Sequence, residues 1–172
     1  MYGIGRLRLY LVILIILFLE STIVHEISFN NIRPDLMLVF IIFVGLFSDW
    51  RETLEAGIVA GLLRGAFTMS PVGINLTILS LCGLLTTYCK NKVYRESFLT
   101  QIALTFSIGL LFNCLFVFTG MLMANRELIN VDIHRAFASR IFMISLYTAA
   151  IAPPVFYFLK KTLKVRVSDS FV

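Results

Sequence analysis

Leu7–Val24 reads LRLYLVILIILFLESTIV, an eighteen-residue run broken only by Arg8 and by the Glu20-Ser21-Thr22 cluster. A helix rises about 1.5 Å per residue, so roughly 18–20 apolar residues cross the ~30 Å hydrocarbon core of a bilayer. The stretch reads as a transmembrane helix, and the rest of the chain repeats it. Further apolar runs follow Pro34, Leu54, Val72, Phe98 and Ala138. With 59% hydrophobic residues and a mean hydropathy of +0.90, the composition is that of a membrane protein. Five or six passes use up the 172 residues, which implies one transmembrane domain over 1–172 and no soluble lobe.

The placement of the basic residues sets the topology. Helices are expected near 7–25, 34–50, 54–69, 72–89, 98–123 and 138–159. With the N-terminus cytoplasmic, Arg6, Arg8, Arg51, Lys90, Lys92, Arg95, Lys160, Lys161, Lys164 and Arg166 fall inside. Arg33, Arg126, Arg135 and Arg140 fall outside, and Arg64 lies within a span. Ten against four is the positive-inside bias of a correct topology. Dropping one helix would place either Lys90–Arg95 or the Lys160–Arg166 tail outside. The expected fold is therefore all-α and integral to the membrane, a six-helix transmembrane bundle with both termini cytoplasmic. The short runs 34–50 and 54–69 leave two readings open, full spans or a re-entrant hairpin. The net charge of +5 forms no stripe, so nucleic acid is not an expected partner.

The connectors carry the punctuation. In Asn30-Asn31-Ile32-Arg33-Pro34-Asp35, proline suits a first helical turn, where its missing amide has no partner. Asp35 then sits at the positive end of the helix dipole. Ser48-Asp49-Trp50-Arg51-Glu52 is a polar turn with an interfacial tryptophan, and Ser70-Pro71-Val72-Gly73 is a tight turn. In Ala124–Phe137, Ile129, Ile133 and Phe137 recur every four residues while Asn130 and His134 face away. That segment reads either as a surface amphipathic helix or as a solvated loop. Pro153-Pro154 should bend or interrupt the last helix. Cys82, Cys89 and Cys114 are odd in number and read as small packing residues, not a disulfide framework. The N-terminus lacks a small-x-small cleavage site, so the first run reads as an uncleaved helix.

The third run holds the most specific local pattern. Gly57, Gly61 and Gly65 repeat every four residues, with Ala56 and Ala60 in a parallel line. Small residues on one face let helix backbones approach closely in lipid, either within the bundle or against a docked partner. Arg64 lies on the same side. A cation at this depth costs ~2.5–3.5 kcal/mol on insertion scales, so it needs a counter-charge. Glu20 and Asp35 lie at similar depth, and either suits a pairing that fixes how the first three helices pack; a substrate-binding role for Arg64 is the alternative. Gln101, Thr105, Gly109 and Asn113 form a polar line on the fifth helix, and Thr77, Ser80, Gly83 and Thr87 one on the fourth. Both suit interhelical hydrogen bonds. His25 and His134 stand apart from any cysteine or histidine at ligand spacing, and no hydrolase or phosphate-loop motif occurs. Neither an enzyme nor a cofactor is expected.

Three stretches together carry a family likeness: Arg33-Pro34-Asp35-Leu36-Met37-Leu38-Val39-Phe40, then Glu55–Leu63 (EAGIVAGLL), then Val72-Gly73-Ile74-Asn75-Leu76. They resemble the MreD family of bacterial rod-shape-determining membrane proteins, with Arg33, Pro34, Asp35 and Gly73 at motif positions. Where many relatives carry an acid after the second glycine of the third helix, this chain has Arg64, so no role of that acid transfers. The resemblance implies a non-enzymatic scaffold in the cytoplasmic membrane beside a single-pass MreC-like protein. Through that partner it implies a link between the MreB filament and the peptidoglycan-synthesising enzymes, with a homodimer as a further candidate assembly. The family is also similar in fold to substrate-binding subunits of energy-coupling-factor vitamin transporters, which supplies the runner-up function. Such subunits often carry an Ala-x-x-x-Ala line on the first helix; Leu9–Leu17 (LYLVILIIL) is bulky throughout and counts against that reading.

Overall fold

The computed structural model of the chain describes residues 6–26, 33–68, 72–90, 97–123 and 131–163. Among these residues all the regular secondary structure is helical: α1 (Arg6–Glu26), α2 (Leu36–Phe47), α3 (Trp50–Thr68), α4 (Val72–Cys89), α5 (Phe98–Met123) and α6 (Val131–Leu163). Val72–Cys89, Phe98–Gly120 and Ser139–Leu163 are each long and apolar enough to cross a membrane. The architecture is that of an all-α membrane protein.

The helix that organises it is the shortest. α2 is 12 residues long, about 18 Å at ~1.5 Å per residue and well short of a ~30 Å hydrocarbon core. Its sequence LMLVFIIFVGLF is apolar on every face, and Met37–Leu46 are all buried. A helix apolar all round is one enclosed on all sides, and α2 touches each of the other five. Short segments at membrane depth are tolerated where protein rather than lipid surrounds them.

Five glycine-mediated contacts draw α2, α3 and α4 together. A Cβ added at Gly57 would lie 2.8 Å from Ser80 Cα, one at Gly65 2.7 Å from Val72 Cα, and one at Gly61 would strike the Leu76 backbone. Each step of four along α3 is matched by a step of four backwards along α4, so the two run antiparallel in one unbroken register. Gly83 of α4 accepts Thr53 of α3 and Ile41 of α2 in the same way, and Gly45 of α2 faces Thr86. Lipid tails are as apolar as leucine, so dispersion in these close approaches, not water exclusion, holds the helices together.

α6 runs parallel to α2. Thr148 meets Asp35, Phe156 packs edge-on against Phe43 at 5.5 Å, and Lys160 Nζ lies 4.8 Å from the Phe47 ring centre. The sequence separation is 113 residues at the Asp35–Thr148 contact, and the other two contacts share it. α1 packs on α2 and α3 through Leu9, Val12, Ile13, Ile16 and Leu17. Its opposite face, with Leu11, Leu14, Ile15 and Phe18, is exposed.

Several boundaries differ from those read in the sequence. α2 starts at Leu36, not residue 34, because Asp35 is its N-cap with extended backbone (φ −92°, ψ 90°); Pro34 precedes the cap. It ends at Phe47, where Ser48 turns to φ −115°, ψ 177°. α3 then begins at Trp50, held by the Thr53 amide and hydroxyl, which both donate to Asp49 O at 3.0 and 2.9 Å. The segment expected as a separate surface element joins α6 from Val131 onward. α6 also runs uninterrupted through Pro153 and Pro154. Those prolines have no amide to donate to the carbonyls of Ala149 and Ala150. Asn30–Ile32, Ser70–Pro71, Lys92, Arg95, Ala124–Asn130, Lys164 and Arg166 lie outside the described residues, as do the side chains of His25, His134 and Arg135.

Candidate functional site

The site is built outward from Asp35. As N-cap of α2 its Oδ1 accepts the Leu38 amide at 2.8 Å, satisfying one of the amides a helix start leaves open. Oδ2 accepts from Arg64 Nη1 of α3 at 2.8 Å. The Asp35 amide in turn donates to the Thr148 hydroxyl of α6 at 3.1 Å. That hydroxyl donates its own proton to Ile144 O at 2.8 Å. Every polar atom named here is therefore matched.

Arg64 widens the node. Nη2 lies 3.5 Å from Glu20 Oε1 of α1, and the guanidinium carbon sits 5.6 Å from the Phe112 ring centre of α5. Five helices thus meet at one guanidinium–carboxylate pair. The side chains of Arg64, Glu20 and Asp35 are 19%, 22% and 8% exposed, so Asp35 is the enclosed partner and Glu20 the rim. The 2.8 Å contact is a charge-assisted hydrogen bond, and the 3.5 Å one a looser ion pair. An aromatic face near a guanidinium adds a cation–π contribution. The chemistry on offer is the fixing of helices, with the one cation neutralised from two sides.

The remaining sequence candidates fall in different places. Gly57, Gly61 and Gly65 face α4, and Ala56 and Ala60 are fully buried. The small-residue face is thus occupied by the chain's own fourth helix. Arg33 is exposed and Pro34 buried. Gly73 is exposed in the first turn of α4 with nothing within 4 Å of an added Cβ. On α5, Asn113 donates to Gly109 O at 2.8 Å and to the Ser145 hydroxyl of α6 at 3.3 Å. Gln101 is buried, and the Thr105 hydroxyl is buried with no partner among the described residues. On α4, Thr87 donates to Thr53 at 3.3 Å, Ser80 lies against Gly57, and Thr77 bonds back to Gly73 O at 2.5 Å on an exposed face. Cys82 is buried, Cys89 half-buried and Cys114 exposed, all as free thiols.

Sequence reasoning missed four participants. Thr148 sits more than a hundred residues from the amide it accepts, and nothing local distinguishes it from other helix threonines. Phe112 is one apolar residue among many. The Tyr10 hydroxyl donates to Glu55, a second tie between α1 and α3. Lys90 Nζ donates to Ser48 O at 2.9 Å, placing a cation at the negative end of α2 as Asp35 places an anion at the positive end. A charge expected only to mark a membrane face thus also caps a helix, and the signal was Lys90 lying immediately after α4.

With this geometry in view, comparison with known proteins gives one match. The family model described as rod shape-determining protein MreD covers residues 3–162. No curated protein and no solved structure matches the chain.

Proposed function

Because the chain belongs to the family of rod shape-determining proteins described as MreD, we propose that it acts in cell-shape determination as a non-enzymatic scaffold of the bacterial cytoplasmic membrane. In this reading it binds a single-pass MreC-like protein and through it links the MreB filament to peptidoglycan synthesis. Both termini face the cytoplasm, and the end bearing Arg51, Lys90 and Lys160 is the cytoplasmic one.

One observation supports a binding function above others. The most unusual side chains of the sequence, Arg64, Asp35 and Glu20, bond to one another across α1, α2 and α3, and the glycine stripe is spent on α4. Interior chemistry is used to hold the bundle rigid, and what remains outward are apolar helix faces fit for contact with other transmembrane segments.

Affinity purification of the full chain from crosslinked native membranes tests the reading. Recovery of the MreC-like protein, together with loss of rod shape on depletion, is the expected outcome. Recovery instead of an ATPase pair with a bound vitamin would assign the chain to transport and overturn the scaffold.

A further inference from the structure

Charge does not balance at the Arg64 node. The guanidinium is matched by Asp35 at 2.8 Å, and Glu20 then brings a second carboxylate at 3.5 Å. Among the described residues, the contacts reaching the node from α4, α5 and α6 are uncharged. α5 brings the Phe112 ring, α6 the Thr148 hydroxyl, and α4 the buried Cys82 thiol within reach of the Asp35 charge. Arg33 and Arg140, the cations nearest in sequence to Asp35 and Thr148, are both exposed.

Ionised, Glu20 leaves the node one negative charge in excess at membrane depth, where an unmatched charge is costly. Protonated, it leaves the neutral Asp35–Arg64 pair undisturbed. A proton also has a way in. Glu20 closes the apolar run of α1, and the next two residues, Ser21 and Thr22, are exposed.

The position of Glu20 decides what such a proton controls. Polar contacts tie α1 to α3 at two levels, Tyr10 on Glu55 and Glu20 on Arg64. Repulsion between Glu20 and Asp35 acts only at the second level, while Tyr10 keeps the other half of α1 in place.

We propose that Glu20 is a proton-binding site that sets how firmly its half of α1 is held on α2 and α3. Protonated, α1 lies closed along its whole length; ionised, the Glu20 end loosens. The closed state holds a proton that the loosened state gives up, so closure weakens as pH rises. Asp35 fixes that sign. With asparagine at position 35, Glu20 becomes the one anion facing Arg64, and ionisation then closes α1 instead of loosening it.

Spin labelling tests this on the full chain in nanodiscs. Cys89→Ala and Cys114→Ala remove the accessible thiols, and Cys82 stays buried. A nitroxide is attached at Phe18→Cys or at Leu11→Cys, both exposed positions of α1. Spectra are taken from about pH 4, near the ordinary carboxylate value, to about pH 9. The mobile fraction at Phe18→Cys is expected to rise with pH, by at most about tenfold per unit as one proton allows. The label at Leu11→Cys, beside the Tyr10 tie, should stay level. Added Glu20→Gln should hold the Phe18→Cys label immobile throughout, and added Asp35→Asn should reverse its slope. A level response at Phe18→Cys, an equal response at Leu11→Cys, an unchanged response with Glu20→Gln, or an unreversed slope with Asp35→Asn each overturns the proposal. Should the Asp35→Asn chain fail to fold, the comparison with Glu20→Gln decides alone.

Discussion

Replacing Arg64 by methionine keeps an unbranched apolar stem and removes the guanidinium. Asp35, with its side chain 8% exposed, then loses the partner 2.8 Å from Oδ2. Breaking a buried pair from one side costs about 3–5 kcal/mol, because the remaining charge stays enclosed. Glu20 is 22% exposed and 3.5 Å away, so it adds no more than about 1 kcal/mol. Asp35→Asn alone should cost about 1.5–3 kcal/mol, the range for a hydrogen bond to a charged group, since asparagine caps a helix as well as aspartate. The double variant leaves no orphaned charge at position 35, so its loss should fall short of the summed single losses by about 1–3 kcal/mol. Unfolding of the full chain in mixed micelles by added sodium dodecyl sulfate, followed by circular dichroism, supplies the three free energies. Additivity to within about 0.5 kcal/mol would refute the assignment of the Asp35–Arg64 contact as the main tie. A charge swap is a poorer test, because arginine at 35 also destroys the cap.

Three further outcomes follow from particular contacts. Gly61→Ala should cost about 1–3 kcal/mol by forcing a methyl group into the Leu76 backbone, whereas Gly73→Ala, with open space around it, should stabilise by up to about 1 kcal/mol; equal dodecyl sulfate midpoints for the two would contradict the packing register. Thr148→Val should cost about 1–3 kcal/mol by leaving the buried Asp35 amide without its acceptor, and hydrogen exchange at that amide should quicken; unchanged exchange would remove the contact. Tyr10→Phe, which deletes the α1–α3 hydrogen bond to Glu55, should cost only about 0.6 kcal/mol, and a loss as large as that of Thr148→Val would show this tie to be undervalued.

How far the sequence could be read depended on whether the deciding partner was local. The limits of α4 and α5 were legible because uniform apolar runs end at polar residues: Cys89-Lys90 closes one and Phe98 opens the other. The need of Arg64 for a counter-charge was legible too, from its place in an apolar run. That both carboxylates converge on it is a tertiary fact, set by how α1, α2 and α3 cross. The start of α2 was misplaced by two residues because Pro34 fits a first turn equally well on local grounds. Asp35 is held in extended backbone by Leu38, three residues on, and by Thr148, 113 residues on, and only the first of these is visible in the local sequence. The second run was already short in the sequence, leaving a full span or a re-entrant hairpin open; its enclosure by the other five helices was not legible, since hydrophobicity alone does not distinguish a segment facing lipid from one facing protein. At Pro153-Pro154 the interruption is absent, α6 being one continuous helix from Val131 to Leu163. The rule that proline breaks helices assumes an unsupported helix, and α6 is supported along α2.

That support has a mechanical meaning. The proline pair removes two backbone hydrogen bonds and should be the point at which α6 flexes most easily. Contacts to α2 lie on either side of it, Thr148–Asp35 before and Phe156–Phe43 and Lys160–Phe47 after. α6 therefore borrows its stiffness from the neighbour to which it is pinned. A pull on the Lys160 end is shared with α2, and through Asp35 it reaches Arg64 at the far side of the bundle, instead of dissipating as a bend at the prolines. Two helices that would each be weak alone, one too short and the other short of two backbone hydrogen bonds at its prolines, brace one another along their shared length.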